Sequence, residues 1–338
     1  MNSSFKKVLV VGGSGFVGSL LINKLLSERY NVISYDLEVF GQNYSQFALL
    51  DKNFAFVKAD IRNQSLFSMA VQSVDAVIYL ACISNDPSYD YNVELSHSIN
   101  FKCFESCVKA AKNAGVKRFI FASSSSVYGP SDEEADVTED HPVNPITNYS
   151  RDKHYCEKIM LNYHCKDFEA VIVRPATLFG ISNRIRFDLV VNILTANGVL
   201  NKEIIVHGGK QLRPNLHVQD MVDFYSCILN SSPSLVGGQA FNIGLENHTV
   251  LNLAALVKKA IANQLLFDPE IQTIPINDTR SYKINSDKAF IKLGFKPKLT
   301  ITDGIESMID YIRKSKLSSV EDTLNYSNLE LVKRFQFM

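Results

Sequence analysis

The chain is predicted to adopt an α/β fold, a doubly wound parallel sheet with a smaller C-terminal α/β lobe. Three observations predict it. Short β-rich runs alternate with segments long enough for crossover helices, a glycine-rich stretch joins the first run to the first helix, and the alternation lapses beyond Pro175. In order, the strands of the first half are residues 7–11, 31–35, 54–58, 76–80, 118–122 and 170–173. Their separations leave room for the crossovers that parallel strands require. Uninterrupted apolar runs such as Val8-Leu9-Val10-Val11 suit a sheet covered on both faces. Further on, residues 204–207 and 239–243 read as strands, and 252–263 and 301–314 as amphipathic helices. The expected division is a first domain over 1–178, completed by segments near 204–245, and a second lobe over 179–203 and 246–338. With no fixed-period repeat, low-complexity tract or long linker, the two should form one body with a ligand cleft between them.

Composition excludes several classes. In 338 residues, 35 Lys+Arg balance 35 Asp+Glu, and no block of five or six like charges marks a nucleic-acid surface. The densest acidic run, residues 132–136, reads as a solvated loop. No apolar stretch approaches the roughly 18 residues of a membrane span, and the N-terminus shows no signal-peptide pattern. The six cysteines and seven histidines lack metal-ligand spacing, so the thiols are expected to be reduced. A cytoplasmic protein without metal, nucleic-acid or membrane partners is the expectation.

The first strand runs into Gly12-Gly13-Ser14-Gly15-Phe16-Val17-Gly18, then into a helical segment. Glycines there let the backbone turn tightly and approach a pyrophosphate, which the free N–H groups and positive end of the helix stabilise. Between a strand and a helix this is the fingerprint of a Rossmann sheet that binds a dinucleotide. Gly12, Ser14, Gly15, Phe16, Val17 and Gly18 are the candidate cofactor contacts. The second strand leads to Asp36, 18 residues after Gly18, where a carboxylate bonds an adenosine ribose 2′-hydroxyl. Residues 37–40 carry no Lys or Arg to neutralise a 2′-phosphate, so NAD is favoured over NADP. Asp60 and Ile61, after the third strand, are placed to meet the adenine. The alternative for both aspartates is a plain strand-end turn.

Ser123-Ser124-Ser125-Ser126-Val127-Tyr128-Gly129 ends the fifth strand, and Tyr149-Ser150-Arg151-Asp152-Lys153 opens the next helix. The spacing i,i+4 puts Tyr149 and Lys153 on one helix face. This arrangement suits removal of a hydroxyl proton from carbon while hydride leaves for a nicotinamide. Tyrosine, with a pKa near 10, is too weak a base unless a cation stands close. An ammonium about 5 Å away at an effective dielectric near 20 contributes about 3 kcal/mol, or two pKa units. A tyrosinate poised near neutral pH is expected, with Ser124 bonding the developing carbonyl oxygen. The alternative is a buried ring at Tyr149 and a surface charge at Lys153.

Together these motifs resemble the extended short-chain dehydrogenase/reductase superfamily, in its nucleotide-sugar epimerase/dehydratase branch, and most of all its UDP-glucose 4-epimerase-like members. The resemblance spans nearly the whole chain and implies that Ser124, Tyr149 and Lys153 form the catalytic triad. It adds Ala81 beside the cofactor, Asn100 ordering the lysine through water, and Pro175 against the nicotinamide. Ser84, Ser125 and Thr177 become sugar contacts, although Thr177 stands where 4-epimerases carry Asn. The stretch from Gly208 to Asp220 resembles the branch's substrate-domain signature, in which Arg213 binds the nucleotide diphosphate. Arg280, followed by Asp287, Lys288 and Leu293-Gly294-Phe295-Lys296-Pro297, is similar to the second phosphate-binding arginine and C-terminal motif. A guanidinium fork pairs with two phosphate oxygens at once; a surface position is the alternative for each.

Ser125 and Ser126 occupy positions where dehydratases and decarboxylases of this resemblance carry an acid, so loss of water is disfavoured. The segment from Arg174 to Asn192 is similar to enzymes of surface-polysaccharide sugars, including nucleotide-heptose C4 dehydrogenases. Arg184 and Arg186 within it are candidate nucleotide contacts or surface-helix residues. The resemblance thus implies NAD-dependent oxidation at C4 of a nucleotide-diphosphate sugar with return of the hydride, a 4-epimerase. A 4-dehydrogenase or 4-ketoreductase, for example on a GDP-heptose, stays open, as do a 4,6-dehydratase and a non-catalytic NAD-binding module. A homodimer through helices near 92–114 and 149–165 is implied as well.

Overall fold

The computed structural model describes residues 5–131, 136–276 and 281–335. Its strands are β1 (Lys7–Val11), β2 (Asn31–Asp36), β3 (Phe54–Lys58), β4 (Ala76–Tyr79), β5 (Arg118–Ala122), β6 (Glu169–Pro175), β7 (Thr177–Phe179), β8 (Glu203–His207), β9 (Leu212–His217), β10 (Gln239–Ile243), β11 (Glu246–Thr249) and β12 (Glu270–Ile274). Seven form one sheet in the order β10-β6-β5-β4-β1-β2-β3, with every pairing parallel. Along β1, Val8 and Val10 enter one apolar core while Leu9 and Val11 enter the other, so helices must cover both faces. The doubly wound sheet predicted from the sequence is the observed one.

Strand order reverses between β1 and β4, the two strands on either side of the topological switch point. A crevice at the carboxyl ends of the strands is expected there. β10 completes the sheet beside β6, whereas β8 pairs with β12 in a separate parallel ribbon. A three-stranded sheet, β11-β9-β7, stands between the main sheet and a third apolar core built from helices Val190–Leu200, Val250–Leu265 and Ile301–Lys314. β7, β9, β11 and β12 were not read from the sequence. β9 and β11 hold Arg, Asn, Pro and His, without the alternation that marks a strand.

The single helix expected over 92–114 is three pieces, Val93–His97, a π-helical stretch Ser98–Lys102, and Phe104–Asn113. The extra residue of the π stretch turns Asn100 inward, where its Nδ2 donates to the Ile83 carbonyl (2.9 Å) and its Oδ1 accepts from the Ile83 N–H (2.8 Å).

Helix Asn148–Tyr163 is fixed to the sheet from below. It begins with a capping box between Thr147 and Ser150, and two turns beyond Tyr149 its buried Glu157 meets Arg174 of β6 in a double contact of 2.7 and 2.9 Å. Ser123 at the end of β5 donates to the same carboxylate, and Tyr128 accepts from Arg174 (2.8 Å). Burial alone would raise the Glu157 pKa, yet Arg174, His154 and Ser123 hold it below the usual glutamate range. Its folded value is therefore depressed, so this contribution to stability is full at neutral pH and is lost as pH falls through the folded value. Arg174→Met should cost about 3–5 kcal/mol in urea unfolding because it strands a buried carboxylate. Adding Glu157→Gln should recover part of that loss, and the recovery should shrink in acid.

Candidate active site

One cleft of about 460 Å³ crosses the switch point, from the glycine turn and the ends of β2 and β3 to the Tyr149 helix, β9 and the loop after β7. At its first end, Gly12 adopts φ +87°, and a Cβ there would lie 2.7 Å from the Ala81 backbone nitrogen. A Cβ on Gly18 would lie 2.3 Å from the Gly12 carbonyl oxygen. Only glycines fit these approaches. The helix Gly18–Ser27 starts with no side-chain cap and no acidic residue in its first turn, so its positive end is left for an external anion. This cradle suits the pyrophosphate of a dinucleotide.

Gly12, Gly15, Phe16, Val17 and Gly18 line this end, with Ala81 closing it from the segment just after β4. Ser14 does not line the cleft. It is buried, its N–H donating to Asp36 Oδ2 (2.9 Å) and its hydroxyl to the Gly41 carbonyl (2.7 Å), so it shapes the loop that carries Asp36. Asp36 faces the cleft, and its other oxygen accepts from Glu38 N–H (2.7 Å); burial raises its pKa. Asp60 and Ile61 line the cleft beside it. The Asp60 carboxylate is gripped by Arg62, which holds its pKa below the usual range against the opposing effect of burial.

At the second end, Ser124, Tyr149 and Lys153 line the cleft together with Pro175 and Thr177. Ser124 Oγ accepts both the N–H (3.1 Å) and the hydroxyl (2.8 Å) of Ser126, which leaves its own proton to be donated elsewhere. Lys153 Nζ donates to the Ala122 carbonyl (2.6 Å) and stands 5.7 Å from the Tyr149 ring centre. The expected low tyrosine pKa is corrected here. Burial pushes Tyr149 well above the ordinary range, Cys82 and Asp86 push the same way, and the cation that works against them is Arg186. The protein alone therefore keeps Tyr149 protonated at neutral pH. Ser125 is buried behind the turn and does not line the cleft, because the short 3₁₀ turn Ser125–Tyr128 exposes Ser124 and Ser126 on its open side. Asn100 is likewise outside the lining, its amide committed to Ile83.

Arg184 and Arg186, on the loop after β7, and Arg213, on β9, also line the cleft; Arg280 lies outside the described residues. Arg186 forms a fork onto Asp188 (2.9 and 2.9 Å) and reaches Ser84 Oγ at 3.3 Å. Asn328 donates to the same Ser84 hydroxyl (2.7 Å) through Nδ2 and to Asp188 through its backbone N–H (3.2 Å). Thus the helix Asn328–Arg334, near the end of the chain, straps the Tyr149 end of the cleft. Asp86, Ser126, Tyr282 and Asn328 are lining residues that the sequence reading missed. Only Ser126 carried a usable signal, as a neighbour in the serine run. Asp220 and Lys288 of the C-terminal signatures prove structural, Asp220 accepting the Lys298 and Leu299 N–H groups and Lys288 donating to the Ala240 carbonyl. Among the described residues no group of three or more His, Cys, Asp or Glu side chains could hold a metal, and no helix is long and apolar enough to cross a membrane.

A model of the NAD dependent epimerase/dehydratase family matches residues 8–244. Among curated proteins, a UDP-glucose 4-epimerase of Mycolicibacterium smegmatis is 27% identical over 322 residues, covering 91% of this chain and 98% of that one. UDP-glucuronic acid decarboxylase 1 of Danio rerio is 27% identical over 320 residues, covering 91% and 73%. Among solved structures, the UDP-glucuronic acid 4-epimerase of Bacillus cereus, in complex with UDP-glucuronic acid and NAD, superposes with a TM-score of 0.81 at 25% identity, covering 91% and 99%. A dTDP-glucose 4,6-dehydratase of Streptomyces venezuelae, with NAD bound, matches in fold with a TM-score of 0.81 at 22% identity, covering 92% and 98%.

The glycine contacts make a direct test. Gly18→Ala should weaken NAD binding about tenfold or more, ~1.4 kcal/mol, in calorimetric titration, because the new methyl displaces the Gly12 carbonyl.

Proposed function

The chain belongs to the NAD dependent epimerase/dehydratase family, and on that premise we propose that it is a nucleotide-sugar 4-epimerase, which oxidises C4 of a nucleotide-diphosphate sugar and returns the hydride to the same carbon. The observation that carries this reading is the convergence of Ser124, Tyr149 and Lys153 on the cleft that begins at the glycine turn. Bound NAD supplies the hydride acceptor. Tyr149 takes the C4 hydroxyl proton, and Ser124, its oxygen already occupied by Ser126, donates to the oxygen that becomes a carbonyl. Lys153, tethered to the end of β5, holds positive charge beside the Tyr149 ring. Removal of the tyrosine proton is opposed by burial, so the positive charge of the oxidised nicotinamide and the field of Arg186 are needed to make Tyr149 a base.

Arg213 is assigned to the diphosphate of the sugar nucleotide, with Arg280 as its partner in that role. Ser84, Thr177 and Arg186 are assigned to the sugar. The Ser124–Ser126 turn carries no carboxylic acid, which favours simple epimerisation over elimination of water. Asp86 also lines the cleft, and its charge works against ionisation of Tyr149. A 4-dehydrogenase or ketoreductase would use the same residues and differ only in releasing the ketone. A homodimer in the cytoplasm belongs to the same reading, with Tyr155 and Leu161 exposed on the helix that would pair.

The chain has no Trp, so reduced nicotinamide fluorescence can be read with little background. With purified protein, NAD and a panel of nucleotide sugars, the epimerase reading expects no lasting rise near 340 nm excitation and a C4-inverted sugar by NMR. A persistent rise means net oxidation, and a 6-deoxy-4-keto product means dehydration; either replaces the proposal. Tyr149→Phe should lower turnover by about 10² to 10⁴ while NAD affinity stays unchanged, whereas a non-catalytic module would show no turnover to lose.

A further inference from the structure

Arg184 is held in a different setting from Arg186, although two residues apart they both face the cleft. Its loop is pinned to the glycine-turn helix. Ser182 Oγ lies 3.2 Å from Ser19 Oγ, and Asn183 Nδ2 donates to the Ser19 carbonyl at 3.3 Å. Ser182 Oγ also accepts from the Arg184 N–H (3.1 Å) and donates to its carbonyl (3.1 Å), fixing the backbone at that point. Ser19 directly follows Gly18. On the other side, the guanidinium carbon sits 4.2 Å from the ring centre of Phe40, on the loop that follows Asp36.

The Arg184 backbone is thus tied through Ser182 and Asn183 to the helix start after the glycine turn, and its guanidinium lies against the loop that follows Asp36. Arg184 is 4% exposed, it lines the cleft, and its Nη2 is buried with no hydrogen-bond partner among the described residues. A buried guanidinium without an anion is unfavourable. Desolvation, with Arg186 adding to it, outweighs the opposing field of Asp188 and pushes its pKa down to about 9, so it still carries its charge at neutral pH. Asp188 itself is forked onto Arg186. The environment of Arg184 calls for an anion on the glycine-turn side of the cleft, and the one that the cradle fits there is the cofactor's pyrophosphate.

We propose that Arg184 is a cofactor-binding residue, closing over the dinucleotide pyrophosphate opposite the glycine turn with Phe40 as its backing, and is not a contact of the sugar nucleotide. The proposal rests on the cleft being an NAD site and is independent of what happens at C4. It also gives the chain a means of retaining cofactor through a turnover that returns the hydride.

The test compares four probes, NAD, ADP-ribose, adenosine and a set of uridine, thymidine and guanosine diphosphates, by calorimetric titration of the wild type and Arg184→Gln. NAD and ADP-ribose should weaken about tenfold or more, with adenosine and the nucleoside diphosphates unchanged. Weakened nucleoside diphosphate binding with NAD intact would make Arg184 a substrate residue and overturn the proposal. Equal loss for adenosine and NAD would assign it to loop packing, and no change at all would assign it no ligand; both overturn it. If Arg184→Gln does not fold, Arg184→Met keeps the contact with Phe40 and the same ratios are read. A wild type that binds no NAD would sink the cofactor reading of the cleft itself, which is a separate failure.

Discussion

The carboxylate of Glu157 and the guanidinium of Arg174 lie buried together under the cleft, and the geometry of the reacting end depends on them. Glu157 is two helical turns along from Tyr149, on the same face as Lys153. By binding Arg174 of β6 and the hydroxyl of Ser123 just after β5, it ties the helix to both strands from beneath, alongside the bond from Lys153 to the Ala122 carbonyl. Arg174 then passes the connection to Tyr128, which bonds Asn242 of β10 (2.8 Å). The helix thus has a fixed rotation and depth relative to the strand ends. Tyr149 and Ser124, from different elements, face one cavity because of that fixed depth.

The other end of the cleft depends on absence of side chains. Gly12 and Gly18 bring the β1 turn, the helix start and Ala81, just after β4, within distances no Cβ could occupy. The same contacts leave an uncapped helix terminus open to the cleft. One end therefore suits a dianionic pyrophosphate, and the other suits proton transfer at a sugar carbon. What joins them is the span of the cleft across the switch point, with β9 and the loop after β7 supplying guanidinium groups.

Much of this was legible in the sequence because the informative features are local. The glycine turn, Asp36, the serine run and the Tyr149–Lys153 pair each sit within one turn or one strand end, and the parallel strands announce themselves by apolar runs. What could not be read depends on contacts between distant segments. Asn328 meets Ser84 across 244 positions, and Glu157 finds Arg174 only once the helix packs on the sheet. Ser125 was expected at the sugar and Ser126 was not, and the 3₁₀ turn reverses the two by placing Ser125 on the buried side. The pKa of Tyr149 differs from the sequence expectation for a related reason. The Coulomb gain from Lys153 was estimated from spacing, but the desolvation that outweighs it belongs to the folded cleft.

The central claim is that hydride leaves C4 and comes back to C4. It is tested most directly with a nucleotide sugar carrying deuterium at C4, followed by NMR of the products after conversion. The account predicts that the inverted product keeps its deuterium at C4, with none in released reduced cofactor or in water. Deuterium recovered in free reduced cofactor beside a 4-keto sugar, or moved to C6, would contradict it.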